Sequence, residues 1–150
     1  MSFSMPSFNV RVYAIILNEQ QQVLLTDEYQ MDMKMTKFPG GGLQYGEGTI
    51  DCLHREAHEE FGQDLEITGH FYTLDYFQPS LFNSQHQLLS IYYKARFPEP
   101  VRFKTTSRPF DGASSLQNGF ISFRWKSVRS LTPDDFTLPV DKKVAEMIAR

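Results

Sequence analysis

Three glutamates of one short segment, Glu56, Glu59 and Glu60, have a residue type and spacing that could do chemistry. If the segment is helical, at about 100° per residue, their side chains fall within a wedge of about 100° on one face. Two carboxylates about 6 Å apart repel each other by roughly 3 kcal/mol at an effective dielectric constant of about 20. A divalent cation among them reverses the sign of this energy, and hard oxygen ligands suit Mg²⁺ or Mn²⁺. Charge-rich helix faces are common, so the spacing alone leaves a solvated face open beside a metal site.

The segment just before these acids favours the metal-site interpretation. Glycines 40–42 let the backbone adopt strained angles and let a ligand approach closely, so the carbonyl oxygen of Gly40 could join the metal shell. Glu47 follows before the expected helix begins, and Arg55 stands beside the acids and can pair with them. The sequence therefore predicts an oxygen-rich cation site whose carboxylates are oriented by an arginine.

The run from Gly41 to Gln63 resembles the Nudix box, the signature of the Nudix hydrolases, which are MutT-like pyrophosphohydrolases. The matching positions are Gly41, Glu47, Arg55, Glu56, Glu59, Glu60 and Gly62, with Ala57 at the small apolar position. Gln63 departs from the pattern, because the box has an aliphatic residue there that packs the start of a strand. The resemblance covers 23 of the 150 residues, 41–63. It implies an α+β fold, a Nudix-type α/β/α sandwich with a mixed central β-sheet, and loop–helix–loop geometry for 41–63.

The resemblance also implies a reaction, the attack of water on a phosphorus of a nucleotide or nucleotide-like diphosphate, with Mg²⁺ as cofactor or Mn²⁺ in its place. The metal ligands it implies are Glu56, Glu59 and Glu60, with Gly40 and Glu47 in support. Arg55 would orient the glutamates. The general base stays open; a helix glutamate, Glu59 or Glu60, is favoured over Asp111, which belongs to a Phe-Asp-Gly turn.

Two further questions stay open at this point. The substrate could be a nucleotide sugar, ADP-ribose, a dinucleoside polyphosphate or an RNA cap, with a slight preference for a nucleoside triphosphate or similar small nucleotide. From another class, the chain could be a non-catalytic Nudix-fold module that binds or senses a ligand. Such modules commonly lose box glutamates, and this sequence keeps them all.

Several elements must position these residues. Segment 49–61 has one apolar stripe, Ile50, Leu53, Ala57 and Phe61, which predicts a helix that Thr49 caps and Gly62 ends. A second helix is predicted at 140–149, with Pro139 near its first turn. Strands are predicted at 8–17, 22–28, 65–78, 86–97 and 120–128. The first two strands should pair as a hairpin through the turn 18–21, and 29–37 and 108–119 should be loops.

Other reactive residue types fit structural roles better. His54 and His58 lack a third zinc ligand and are predicted to be exposed on the helix. Cys52 is expected to be a small buried hydrophobe, and Arg11 to form a salt bridge at a strand edge, although it could reach a phosphate. The aromatic candidates for base stacking, most of them more simply core residues, are Tyr72, Tyr76, Phe77, Phe82 and Tyr92.

Bulk composition narrows the class of protein. A length of 150 residues suits one domain, 1–150, and a net charge of −3 with pI near 5.8 argues against broad nucleic-acid binding. One cysteine excludes an internal disulfide. The start lacks a signal-peptide pattern and no apolar run reaches 18 residues, so we expect no membrane span and a cytoplasmic protein. A homodimer fits the family, but nothing in the sequence shows one.

Overall fold

The computed structural model describes residues 5–112 and 115–149. The strands are β1 Ser7–Ile16, β2 Gln22–Gln30, β3 Met33–Lys37, β4 Gly40–Gly42, β5 Glu66–Thr73, β6 His86–Arg96 and β7 Phe120–Ser127. The helices are α1 Thr49–Phe61 and α2 Pro139–Ile148, and short 3₁₀ turns at Val128–Ser130 and Pro133–Asp135 precede α2. Within these residues, no helix has the length and apolar character needed to cross a membrane.

The strands form two sheets. One is mixed, in the order β4-β1-β6-β5, with β1 parallel to β6 and antiparallel to β4. The other is antiparallel, in the order β3-β2-β7. An α+β fold with a mixed sheet is therefore confirmed.

Alternation along β1 places the two helices on opposite faces. Val12, Ala14 and Ile16 pack in one apolar cluster with residues of α1, whereas Tyr13 and Ile15 pack in a second cluster with residues of α2. Successive side chains of a strand point to opposite faces, so a strand that is apolar at every position needs cover on both sides. The continuous apolar run of β1 is thus the sequence feature that requires a helix–sheet–helix sandwich.

The predicted hairpin of the first two strands is wrong. β1 and β2 follow each other through the turn 18–21, but their backbones pair only at the isolated bridge between Leu17 and Val23, and the two strands belong to different sheets. β1 pairs over its full length with β6 on one edge and with β4 on the other, so neither edge is open to β2. Sequence proximity suggested a pairing that long-range partners of β1 prevent.

The predicted loop at 29–37 is also wrong. β2 continues to Gln30 and pairs with β3 through a tight turn in which Met31 and Asp32 have φ of 50° and 60°. Left-handed angles at both central positions define the turn that best fits strand twist, although glycine or asparagine usually occupies them. Met35, Thr36 and Lys37 are all buried, so the strand lacks the apolar–polar alternation that would reveal it.

The ends of several elements differ from expectation. Helix α1 has the predicted bounds, but Gly48 is its N-cap, and the Gly48 N–H donates to Asp51 Oδ2 at 3.1 Å. Thr49 does not cap; its hydroxyl lies 2.6 Å from the Tyr93 hydroxyl. Gly62 ends the helix at φ 66°, as predicted. Strand β5 stops at Thr73, not at residue 78.

The predicted apolar stripe of α1 is only partly buried. Leu53, Ala57 and Phe61 are in the core, as expected, but Ile50 is 46% exposed. Cys52 takes its place in the core and is fully buried. At about 100° per residue, Cys52 lies about 100° from Leu53, so the buried face of α1 is wider than the predicted stripe.

Candidate active site

Arg55 fastens the loop that precedes α1. Its Nη2 and Nε donate to Glu47 Oε1 at 2.7 Å and Oε2 at 3.0 Å, and Nη2 also donates to the carbonyl oxygen of Gly42 at 3.0 Å. The backbone N–H of Gln44 donates to Glu47 Oε1 at 2.8 Å. The Arg55 hydrogen bonds, followed by that from Gln44, lower the pKa of Glu47 to about 2. Glu47 thus stays ionised, with both oxygens engaged in holding the loop.

The same arginine reaches two of the helix glutamates. Arg55 Nη1 donates to Glu56 Oε1 at 3.1 Å and lies 3.3 Å from Glu59 Oε2. A planar guanidinium has five N–H donors in a fixed fork, so one residue can orient several carboxylates. The interpretation of Arg55 as an orienting residue therefore has a geometric basis.

Gly41 lets Glu56 lie directly against the backbone. A Cβ placed on Gly41 would stand 2.2 Å from Glu56 Oε1, closer than any real contact. Gly40 lines one narrow cleft together with Glu56 and Glu60. The structure thus brings the glycine segment and two of the predicted site glutamates together.

Glu60 is the most strongly perturbed of the helix acids. Burial, then the charges of Glu28 and Glu56, raises the pKa of its carboxyl to about 7, with a smaller contribution from Glu59. Burial also raises the pKa of Glu56. Like-charged carboxylates in a partly buried site stay ionised only at a cost in free energy. This end of the helix therefore carries more negative charge than the surrounding side chains neutralise.

Glu28 at the end of β2 belongs to this cluster and was missed by sequence reasoning. It is 9% exposed, and Lys37 Nζ lies 3.1 Å from its Oε2. The run Thr26-Asp27-Glu28 reads as the polar end of a strand, yet all three residues are buried. Charged residues are seldom buried without a partner, and the matching cation comes from another strand.

The donor set fits a hard divalent cation in type and in charge. Glu56, Glu59 and Glu60 offer carboxylate oxygens, which are the ligands that hard divalent cations prefer. Within residues 5–112 and 115–149, no three or more His, Cys, Asp or Glu side chains converge closely enough to hold one ion. Arg55 Nη1 instead donates to Glu56 and Glu59 and takes up their charge. The Glu59 side chain is 57% exposed, so solvent surrounds most of it.

A cavity of about 340 Å³ opens beside the acids, between the two sheets. Arg11 and Glu28 lie in its wall and interact electrostatically with the helix glutamates. The charge of Glu56 acts on Arg11, and the charge of Glu28 acts on Glu60. Its largely apolar wall includes Tyr13, Met35, Leu88, Tyr92, Leu138 and Val140. A mostly apolar cavity with a few polar groups, next to perturbed carboxylates, has the character of a ligand site.

A buried carboxylate, Asp141, lies in the wall of this cavity and was not singled out from the sequence. It is 1% exposed, and the Tyr92 hydroxyl donates to its Oδ1 at 2.6 Å. Its Oδ2 has no hydrogen-bond partner among the described residues. Complete burial raises the pKa of Asp141 to about 7. An acid in the first turn of a helix usually complements the helix dipole, so its sequence position gave no sign of burial.

The predicted salt bridge of Arg11 at a strand edge is wrong, because β1 lies between β4 and β6 in its sheet. Arg11 Nε donates to the Tyr13 hydroxyl at 3.0 Å, and the Tyr13 ring stacks on Tyr92 with centroids 5.2 Å apart. The Tyr92 hydroxyl in turn holds Asp141. A chain of contacts thus joins the acidic side of the cavity to Asp141.

The remaining candidates divide between core and surface. Tyr92 is in the core, as expected, and Cys52 is buried, which raises the pKa of its thiol to about 11. His54 and His58 are 38% and 62% exposed at their side chains. The expectation of a core position is wrong for Tyr76, Phe77 and Phe82, which are 41%, 68% and 42% exposed.

Gln63, which departs from the box pattern, is buried and bridges to a distant segment. Its Oε1 accepts the backbone N–H of Arg102 at 2.9 Å, and its Nε2 donates to the carbonyl oxygen of Pro100 at 3.3 Å. The amide therefore joins the end of α1 to the segment after β6 by hydrogen bonds, where an aliphatic side chain would only pack.

Comparisons with known proteins agree with this architecture. The family model described as the NUDIX domain matches residues 7–147. A protein named RNA pyrophosphohydrolase from Ruthia magnifica subsp. Calyptogena magnifica is 37% identical over 59 residues. That match covers 39% of this chain and 32% of the relative, so the chain spans about a third of that protein's length.

Solved structures share the fold at low sequence identity. A NUDIX hydrolase from Nitrosomonas europaea superposes with a TM-score of 0.64 at 21% identity, covering 92% of this chain and 86% of that one. A MutT protein from Methanosarcina mazei Go1 gives a TM-score of 0.65 at 18% identity over 98% and 96% of the two chains. At these identities the likeness shows the fold alone.

Proposed function

We propose that this chain, which belongs to the NUDIX domain family, hydrolyses the pyrophosphate linkage of a nucleotide or nucleotide-like substrate with the help of a divalent cation. The observation that carries the proposal is geometric: Glu56 and Glu60 line one cleft with Gly40, and Arg55 holds Glu56 and Glu59 on the same helix. Burial, then the charges of Glu28 and Glu56, raises the pKa of Glu60 to about 7. Such a cluster is unfavourable in isolation, because its charges repel, and it becomes favourable when cations and phosphates bind together.

Glu56, Glu59 and Glu60 would hold the cation, with the Gly40 carbonyl oxygen as a further ligand and Glu47 as the support of the loop. A bound Mg²⁺ or Mn²⁺ would neutralise phosphate oxygens and lower the pKa of a coordinated water. The magnesium assignment rests on the oxygen ligands alone, which suit Mg²⁺ and Mn²⁺ alike.

The protein's own residues have separate tasks in this scheme. Arg55 keeps Glu56 and Glu59 oriented and ties them to the loop through Glu47. Arg11 lines the cavity, and among the described residues only its Nε donates a hydrogen bond, so its Nη groups can bind a phosphate. Positioning and charge stabilisation supply most of the rate in phosphoryl chemistry.

Glu59 is our choice for the general base. Its side chain is the more exposed, at 57%, compared with 14% for Glu56, so solvent water reaches it most easily. Its contacts with Arg55, at 3.3 and 3.4 Å, are also longer than those of Glu56 and Glu47. A base needs access to the attacking water and a side chain that can adjust to it.

The substrate assigned to this site is a small nucleotide. The cavity of about 340 Å³ is near the lower end of ligand-site volumes, and the net charge of −3 offers no broad footprint for a polynucleotide. The relative named RNA pyrophosphohydrolase makes a 5′-triphosphorylated RNA the second substrate to test.

A substrate panel tests the proposal directly. Nucleoside triphosphates, ADP-ribose, a nucleotide sugar and a 5′-triphosphorylated oligoribonucleotide are incubated with Mg²⁺, with Mn²⁺ or with a chelator, and the products are separated by chromatography. We expect release of a nucleoside monophosphate or of phosphate only with metal. Glu60→Gln should lower kcat by about 10³-fold, because it removes a charged ligand of the cation that neutralises the reacting phosphates.

Glu146→Gln is the matched control, because Glu146 is exposed on α2 and its charge lies outside the site. It should keep full activity. Full activity of Glu60→Gln, or equal turnover in the chelator, would contradict the proposal, and binding without any turnover would favour a ligand-sensing module.

A further inference from the structure

Lys37 places a buried positive charge in the wall of the cavity between the two sheets. Its Nζ lies 3.1 Å from Oε2 of Glu28, and the two side chains are 10% and 12% exposed. Lys37 pairs in register with Thr26 and Glu28 with Met35, so the two charged residues are diagonal neighbours on one face of β2 and β3. An ammonium group has three N–H donors, and Glu28 is its one ion-pair partner among the described residues. Donors therefore remain for a ligand in the cavity.

A second buried ion pair lies on the opposite face of the same sheet and is better satisfied. Arg124 donates to Asp27 from Nε at 2.7 Å and from Nη2 at 3.3 Å, and Thr36 Oγ1 donates to Asp27 at 2.6 Å. Successive residues of β2 point to opposite faces, so Asp27 and Glu28 have different surroundings. A buried ion pair seldom stabilises a fold more than apolar residues of equal volume would. The incomplete pairing of Lys37 therefore indicates a role in binding.

The segment 37–40 runs from the cavity to the acidic site. The Phe38 ring packs edge-on against the ring of Tyr92 in the cavity wall, with centroids 5.8 Å apart. Gly40 lines the narrow cleft of the α1 glutamates. Consecutive Cα atoms are about 3.8 Å apart, so the Cα atoms of Lys37 and Gly40 are separated by at most about 11 Å. Lys37 therefore lies where the cavity and the acidic site meet.

The charge of Lys37 acts on carboxyl groups at both places. Burial is the main cause of the raised pKa of Asp141 in the cavity and of Glu60 in the acidic site, and the charge of Lys37 lowers the pKa of each. A nucleotide with its nucleoside in the cavity and its pyrophosphate linkage at the α1 glutamates must pass this position. The group that joins these two parts is the phosphate on the 5′-oxygen of the ribose. An ammonium group with free donors suits its anionic oxygens.

We propose that Lys37 binds the phosphate next to the nucleoside and that Glu28 holds the ammonium group in position. The assignment rests on the proposed function, because it places one phosphate of that nucleotide substrate. Lys37 keeps its contact with Glu28 when the phosphate binds, since its other N–H donors reach the ligand. Arg11, the other cation of the cavity wall, is acted on by the charge of Glu56 and serves the phosphates nearer that residue.

The contribution of one phosphate to binding tests this role without turnover. Calorimetric titration compares AMP with adenosine, and GMP with guanosine, so the two ligands of each pair differ only in the phosphate. Mg²⁺ is present throughout, and none of the four ligands has a pyrophosphate bond. We expect the phosphate to tighten binding to the unaltered protein by at least about 10-fold, as one hydrogen bond to a charged group does. Lys37→Met should lose most of this ratio, with little change in the Kd of the nucleoside.

Lys34→Met is the matched control, because Lys34 is an exposed lysine of the same strand outside the cavity. It should keep the ratio. Glu28→Gln breaks the same ion pair from the other side, but it leaves an acceptor for the ammonium group and removes a negative charge beside the phosphate. Its ratio should therefore stay the same or rise.

The double variant Glu28→Gln/Lys37→Met leaves no unpaired buried charge, so it remains informative if Lys37→Met alone does not fold. It should also lack the ratio. Circular dichroism checks the fold of each variant.

An unchanged ratio in Lys37→Met or in the double variant would overturn the assignment. Equal losses in Lys37→Met and Glu28→Gln would overturn it as well, because loss of a purely structural ion pair gives the same result from either side.

Failure of this assignment is distinct from failure of the proposed function. Hydrolysis of nucleotides by a protein whose Lys37→Met variant keeps the full ratio would refute the role of Lys37 alone. A ratio that depends on Lys37, in a protein that hydrolyses none of the panel, would refute the catalytic proposal alone.

Discussion

The acidic face of α1 and the Asp141 end of the cavity both hold carboxyl groups whose pKa is raised first by burial, but the charges around them differ. Beyond burial, the pKa of Glu60 is raised by Glu28, Glu56 and Glu59 and lowered by Lys37, whereas the charges acting on Asp141 are the cations Lys37 and Arg11, which lower its pKa. An excess of negative charge is relieved by a cation, and an unpaired buried acceptor is relieved by a hydrogen-bond donor. The comparison shows that a raised pKa by itself does not identify the ligand that a carboxylate binds.

The two regions also differ in what holds them. Arg55 connects Glu47, Glu56 and Glu59 within one loop–helix segment, by part-buried hydrogen bonds to the first two and an exposed one to Glu59. Asp141 depends on Tyr92 from a different part of the chain, in a buried contact. We therefore expect the first region to respond to metal ions and the second to pH.

The largest effect should be the pH dependence of stability at Asp141. Its pKa is raised from 3.8 to about 7, so its contribution is favourable below pH 3.8 and is lost as pH rises through 7. Asp141→Asn should therefore be more stable than the unaltered protein near pH 8.5, by at most about 4 kcal/mol, with the gain gone near pH 4. Urea unfolding at both pH values measures it, and a constant difference between the two proteins would contradict the burial of an ionising Asp141.

Arg55→Lys tests whether the guanidinium of Arg55 orients the carboxylates at the acidic face of α1. Lysine lacks the planar fork that engages Glu47, Glu56 and the Gly42 carbonyl together, so we expect kcat to fall by about 100-fold through loss of positioning. Arg96→Lys is the matched control, because the Arg96–Glu66 pair is 55% and 48% exposed and contributes little. Steady-state kinetics of both variants decide the matter, and equal activities would show that the Arg55 fork does not orient the site.

Gly41→Ala tests how closely Glu56 must lie against the backbone. The new Cβ would stand 2.2 Å from Glu56 Oε1 and would displace the carboxylate, with an expected drop in kcat of about 10-fold. The thermal midpoint should change little, because the displaced atoms are the end of a flexible side chain. Gly69→Ala is the control, since nothing lies within 4 Å of its Cβ, and similar kinetics of the two variants would count against a fixed Glu56.

A metal titration sharpens the difference between the two carboxylates. At about ten times its dissociation constant, Mg²⁺ should stabilise the unaltered protein by about 1.4 kcal/mol, a few degrees in Tm. Asp141→Asn should keep this shift, and Glu60→Gln should lose most of it. Differential scanning fluorimetry gives the result, and an equal loss in both variants would mean that the two regions form one electrostatic site.

Local sequence determined much of the acidic region, because a helix places residues i, i+3 and i+4 on one face whatever surrounds it. The helix bounds, its Gly62 end and the buried Leu53, Ala57 and Phe61 followed from spacing alone. The resemblance of 41–63 to the Nudix box gave the family and the mixed-sheet sandwich, which the NUDIX domain match over 7–147 confirms. The roles of the single site residues stay predictions.

Tertiary structure alone decided the cavity, because its walls come from β1, β2, β3, β6 and the start of α2. The sequence did not show that β1 would leave β2 to pair with β6, nor that Glu28 would face Glu60. From the sequence, Asp141 is an ordinary acid in the first turn of a helix; only the fold brings Tyr92, 49 positions away, close enough to donate to it. Periodicity reports the face of an element, whereas burial of a charge depends on what other elements bring to that face.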